Sequence, residues 1–134
     1  MTVDANPGKR DDRRDLWLQL VEQTADEVVA WADAEGWSVH RAPKTINEDR
    51  LGTYAVSTVR VRLPEGEVHL NPVARNIIGA DGRIDLESWP TLARVKLIRR
   101  DNRWWIFTDN NVEMEQVWGR ELFARLSRDL VGQG

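Results

Sequence analysis

The stretch Ala93–Thr108, ARVKLIRRDNRWWIFT, holds two runs of strand-forming residues joined by Asp101-Asn102. Asp and Asn tolerate the positive φ that both central residues of a tight hairpin turn require. A turn at this position places Ile98 opposite Trp105. Because side chains alternate across a strand, Trp104 and Trp105 then point to opposite faces of the sheet. The stretch therefore predicts a hairpin that lies centrally in a sheet or is covered on both sides.

Shorter strands are predicted upstream of this hairpin, with turn residues between them. The alternation of apolar and polar residues favours strands at Trp37–Arg41, Tyr54–Leu63, Val68–Asn71, Arg75–Ile78 and Arg83–Glu87. A two-residue turn at Glu65-Gly66 pairs Leu63 with Val68. The apolar positions change parity within the longest of these strands, which predicts a bulge or twist near Ser57.

One helix is predicted at each end of the chain. Helical spacing of apolar residues favours a first helix from about Arg13 to Glu35 and a second from Val112 to about Leu130, capped by Asn111. Since the strands follow one another without helices between them, we expect an α+β fold. It consists of a mostly antiparallel, curved sheet of five or six strands packed with an N-terminal and a C-terminal helix. Residues 11–131 form one domain, between tails at 1–10 and 132–134.

Composition narrows the classes of protein. The chain has 134 residues, no cysteine and a net charge of −3, which excludes disulfide frameworks and thiolate chemistry. Residues 1–35 hold four basic and nine acidic side chains, whereas residues 36–111 hold twelve basic and nine acidic. No apolar run suits a signal peptide or a membrane span, so we expect a cytoplasmic protein that does not bind membranes. A small acidic chain of this kind fits a bacterial accessory protein.

Motifs of catalysis are few. Asp85, Glu87 and Lys96 share the rough plan of a metal-dependent nuclease, with carboxylates for magnesium and a lysine for the attacking water. Arg94 stands where that plan needs an acid, so the wet face of a sheet explains these charges better. The two histidines, His40 and His69, are far apart in the chain, and nothing in the sequence places them together. We expect no cofactor and no metal.

The seven tryptophans and the strand arginines favour a binding role. Exposed tryptophan and arginine are enriched where proteins bind each other. The candidate binding residues are Trp89, Trp104, Trp105, Arg60, Arg62 and Arg99. We therefore expect a non-catalytic binding or accessory module that contacts another protein or a second copy of itself. Two alternatives stay open. One is a protein directed to nucleic acid, and the other is a small-molecule binder with a pocket lined by Trp104 or Trp105 and gated by Ser88–Leu92.

Overall fold

A computed structural model describes residues 6–132, which form two helices and seven strands. In chain order the elements are α1 (Asn6–Ala34), β1 (Ser38–Glu48), β2 (Gly52–Leu63), β3 (Gly66–Ala74), β4 (Gly82–Trp89), β5 (Arg94–Arg100), β6 (Arg103–Thr108), β7 (Glu113–Met114) and α2 (Arg120–Val131). The strands are antiparallel and lie in the order in which they occur in the chain. The predicted α+β class is confirmed, with seven strands instead of five or six.

The seventh strand lies where the sequence predicted the start of the second helix. Met114 pairs with Ile106 as part of β7, and α2 begins only at Arg120. Gly119, predicted inside the helix, is instead the extended residue that precedes it. The prediction of a helix from Val112 was therefore wrong. The spacing of apolar residues runs on from β7 into α2, so it does not show where the strand ends and the helix begins.

Helix α1 begins at Asn6, seven residues before the predicted Arg13. A proline at position 7 suits a first helical turn, where the backbone donor that proline lacks has no partner in any case. Residues 1–5 and 133–134 of the predicted tails lie outside the described residues. The C-terminal end agrees with the sequence: Gly36 has a φ of 81°, and the Trp37 N–H donates to the Ala32 carbonyl at 3.0 Å.

The β5–β6 hairpin has the predicted register. Asp101 and Asn102 have φ values of 56° and 59°, and Ile98 pairs with Trp105. The next pair, Leu97 and Ile106, is buried on the opposite side. That side is the one on which both helices pack, and we call the other side the outer face.

The β1–β2 hairpin is longer than predicted. The β1 strand continues through Pro43, because β1 is an edge strand and the missing backbone donor of proline removes no bond from an inner ladder. Leu63 pairs with Gly66 and not with Val68, so the predicted β2–β3 register was wrong by two residues. An even shift keeps every side chain on its predicted face.

The change of parity in β2 is real, but no bulge interrupts its pairing with β1. The β2–β3 ladder stops at Val59, so the start of β2 extends beyond β3. There Tyr54 is buried, and its hydroxyl accepts a hydrogen bond of 3.1 Å from Trp17 Nε1. The same hydroxyl donates to the Glu48 carboxylate. A twist therefore turns this end of the hairpin toward α1.

The connection between β3 and β4 differs from the prediction. The expected strand at Arg75–Ile78 is absent, because β3 already reaches Ala74, which pairs with Arg83. Residues 75–81 form the turn, with one isolated bridge between Ile77 and Ala80. No helix in the described part of the chain is both long and apolar enough to cross a bilayer.

Candidate functional site

The predicted binding residues divide between the two sides of the sheet. The strand pairings place Arg60, Arg62, Trp89 and Trp105 on the outer face. Trp104 and Arg99 lie on the other side, where they line a cavity next to α1. There are therefore two candidate sites, and the sequence did not distinguish them.

The centre of the outer face is Trp89, which remains 47% exposed. Its ring stacks on His69, with the ring centroids 5.6 Å apart. Glu67 lies between them in the sheet and accepts hydrogen bonds from Arg62 at 2.6 Å and from His69 Nε2 at 3.2 Å. These bonds from Arg62 and His69 hold the pKa of Glu67 below its ordinary value. The Trp89 ring is thus exposed on one side and packs on the other against His69, which is hydrogen-bonded to Glu67.

Beside Trp89 a shallow cavity of about 340 Å³ lies over the first four strands. Arg60 borders it, is exposed, and forms no ion pair among the described residues. His40 and His69 border it too, so the structure brings together two residues that the sequence left apart. The sequence did not show that the two histidines are close, because this depends on the register of β1, β2 and β3. In that register Arg60 pairs with His40 on one side and with His69 on the other.

The three residues of the nuclease plan also meet on the outer face, but their polar atoms are already bound. Asp85 is 2% exposed, and Arg83 holds its two oxygens at 2.7 and 2.8 Å. Lys96 donates to the Asn111 side chain, and Glu87 accepts from the Asn71 amide. Among the residues of the structure's described range, no group of three or more histidine and carboxylate side chains could hold a metal ion. Each of the three side chains is therefore bound by a neighbouring residue, and these bonds stabilise the sheet.

Cations outnumber carboxylates on the outer face. By the strand pairings, the cations are Lys44, Arg60, Arg62, Arg83, Arg94, Lys96, Arg100 and Arg103, and the carboxylates are Glu48, Glu67, Asp85, Glu87 and Glu113. Arg100 and Arg103 both lie over the ring of Trp105, at 4.3 and 4.1 Å from its centroid. Because the whole chain is acidic, this excess of positive charge is local to one face.

Negative charge is concentrated on the opposite side of the molecule. By its sequence, α1 carries four cations, Lys9, Arg10, Arg13 and Arg14, against seven carboxylates, Asp11, Asp12, Asp15, Glu22, Asp26, Glu27 and Asp33. The charge of the molecule is therefore divided between an acidic helix and a basic sheet face.

The second candidate site is the cavity between α1 and β6, with a volume of about 570 Å³. Trp104 and Arg99 form its strand wall, with the Arg99 Cζ 5.3 Å from the centre of the Trp104 ring. Met114 and Trp118 come from the segment before α2. The predicted gate, Ser88–Leu92, does not line this cavity, and Thr91 instead donates to the Leu130 carbonyl in α2.

The fold and the two sites were compared with known proteins. Family models, curated proteins and solved structures were all searched, and none of them matches this chain.

Proposed function

We propose that this protein is a non-catalytic binding module that docks an acidic segment of another protein on the outer face of its sheet. The observation that supports this most is the coincidence of exposed Trp89 with an excess of cations on one face. Tryptophan and arginine supply a large share of the energy at protein interfaces. A complementary charge speeds the encounter and selects acidic partners over basic ones.

Two residues should carry most of this contact. Trp89 offers an aromatic ring that a partner can bury, and its stacking on His69 holds it in place. Arg60 is exposed and forms no ion pair with a described carboxylate, and its charge acts only at a distance on Glu67. Arg62 contributes less, because Glu67 already binds its guanidinium.

The test compares variants in an affinity capture from native lysate after nuclease treatment. We expect Trp89→Ala and Arg60→Glu each to weaken capture of the partner at least tenfold, with little change in the melting temperature. Ile78→Ala is the matched control, since Ile78 is fully exposed in the β3–β4 connection and should retain the partner. A purified partner should then bind more weakly as salt is raised.

Two outcomes would overturn the proposal. If the captured protein binds Trp89→Ala and the wild type equally well, the outer face is not the docking surface. If nuclease treatment removes all bound material, the alternative of a protein directed to nucleic acid replaces this one.

A further inference from the structure

The cavity between α1 and β6 has the size and lining of a small-molecule site. Its volume of about 570 Å³ lies within the range of roughly 300–1,000 Å³ that is usual for organic ligands. Three segments that are distant in the chain form its walls: α1, the β5–β6 hairpin and residues 113–118. Arg103 and Trp105 border both this cavity and the outer face, but Trp89 and Arg60 do not line it, so the inference does not depend on the proposed function.

One end of the cavity carries the guanidinium of Arg99. Arg99 lies on the helix side of β5, partly buried, and forms no ion pair with a described carboxylate. The nearest carboxylate that acts on it is Asp81, which Arg75 contacts at 3.7 Å. Burial lowers the pKa of Arg99, because a guanidinium that loses water without gaining an anion is destabilised.

The other end of the cavity is aromatic. The Trp118 ring packs edge-on against Trp31, with the centroids 5.7 Å apart. Its Nε1 is buried and has no hydrogen-bond partner. Met114, which packs against the core beside Trp118, adds an apolar wall. A ligand that reaches this end would meet flat apolar surface.

The order of these groups follows from the fold. Arg99 pairs with Gly82 in the sheet, and Gly82 lies against Trp17 in the N-terminal half of α1. Trp118 lies against Trp31, nearer the C-terminal end of the helix, and the part of α1 that lines the cavity runs from Leu20 to Glu27, about two turns. The charged end and the aromatic end are therefore separated along α1.

We propose that this cavity binds an organic monocarboxylate with a flat apolar body, with the carboxylate on Arg99 and the body between Trp104, Met114 and Trp118. A guanidinium binds a carboxylate through two parallel hydrogen bonds, which matches the shape as well as the charge. Glu27, Glu113 and Glu115 also border the cavity. Their charges disfavour a second anionic group on the ligand.

The test uses 2-naphthoate as the probe and 2-naphthol, which is uncharged at neutral pH, as its matched analogue. Binding to the full chain is followed by the indole N–H signals in ¹H–¹⁵N correlation spectra, where each tryptophan gives its own peak. We expect 2-naphthoate to shift the signals of Trp104 and Trp118 and to leave that of Trp89 unchanged. We expect 2-naphthol to bind at least tenfold more weakly, because it cannot pair with Arg99.

Variants separate the role of the charge from that of packing. Arg99→Met keeps a long side chain against Trp104 and should weaken 2-naphthoate at least tenfold, while Arg99→Lys should retain part of the affinity. Arg50→Met is the control, because Arg50 is exposed in the β1–β2 turn and does not line this cavity, and it should bind as the wild type does. Equal binding of both probes, or an unchanged affinity in a folded Arg99→Met, would overturn the proposal.

Discussion

Asp85 and Lys96 stand directly opposite each other on β4 and β5, yet each binds a different partner. Both oxygens of Asp85 accept hydrogen bonds from Arg83, and the Lys96 ammonium donates to Asn111 at 2.8 Å. Arg94 adds a second guanidinium at 3.7 Å from Asp85. The carboxylate is therefore the centre of a cluster of positive charge under the outer face.

Replacing this carboxylate should reduce the stability of the fold. In Asp85→Ala, Arg83 and Arg94 lose their shared anion. We expect the free energy of unfolding to fall by about 2–3 kcal/mol, less than for a fully buried pair because the Arg83 side chain is 25% exposed. Urea titration measures this value, with and without magnesium. A magnesium-dependent gain of stability in the wild type that Asp85→Ala lacks would instead support the nuclease plan.

The Trp17–Tyr54 contact makes a second prediction, which concerns the end of the β1–β2 hairpin. Tyr54→Phe removes the acceptor of Trp17 Nε1 and leaves a buried donor unpaired. We expect a loss of about 1–2 kcal/mol in the free energy of unfolding, measured by urea titration. Phe adds no bulk, so a loss well below this value would mean that water reaches the indole.

Tyr54 also predicts how the protein responds to alkali. Burial, and after it the Glu48 carboxylate, raise the pKa of Tyr54 well above its ordinary value near 10. A folded pKa above the unfolded one means that its contribution to stability is full below about pH 10 and declines as the pH rises further. Because Tyr54 is the only tyrosine of the chain, tyrosinate absorbance should rise together with unfolding followed by circular dichroism. Ionisation before unfolding would show that the hydroxyl is accessible.

Local chemistry explains which parts of the fold could be predicted. The Asp101-Asn102 turn sets its own register, since both residues adopt positive φ and the strands on either side have no freedom to slip. The β2–β3 turn is Pro64-Glu65, with Gly66 already in β3, so the register predicted from a turn at Glu65-Gly66 was wrong by two residues. The segment 112–119 was predicted as helix because its apolar spacing fits both backbones, and pairing with β6 decides between them.

The sites depend on contacts that a sequence does not display. Trp89 could be predicted as exposed because a proline follows it. The structure places it at the end of β4, and its side chain is exposed. The cavity beside Arg99 could not be located, since its walls come from α1, the β5–β6 hairpin and the segment before α2. Trp104 and Trp105 were correctly assigned to opposite faces, but nothing local shows that both border a cavity.

A third kind of prediction concerns acid stability and the contact between α1 and β2. Burial alone would raise the pKa of Glu22, but hydrogen bonds from the Ser57 side chain and backbone, together with Arg41, hold it below the ordinary value. A depressed folded pKa contributes stability that is present above about pH 4.5 and is lost as the pH falls through the folded pKa. The stability difference between the wild type and Glu22→Gln should therefore shrink on acidification. The stability difference between the wild type and Ser57→Ala should also become smaller as the pH falls. A stability difference that is independent of pH for either variant would contradict this account.

The last prediction concerns two glycines of the β3–β4 region that share a positive φ but differ in their surroundings. Gly82, with a φ of 150°, faces Trp17 so closely that an added Cβ would lie 2.3 Å from the ring. Gly79 has a φ of 75° and open space around the same position. Backbone strain alone costs about 1–2 kcal/mol, which is the expected loss for Gly79→Ala.

Gly82→Ala adds a clash to that strain, and Trp17 has no room to move because it is buried under the end of the β1–β2 hairpin. We expect a loss of about 3–5 kcal/mol in the free energy of unfolding, from strain and overpacking together. Urea titration of both variants measures the difference between them. Equal losses would mean that Trp17 yields to the methyl group, and the packing of α1 on β4 would then be looser than this contact requires.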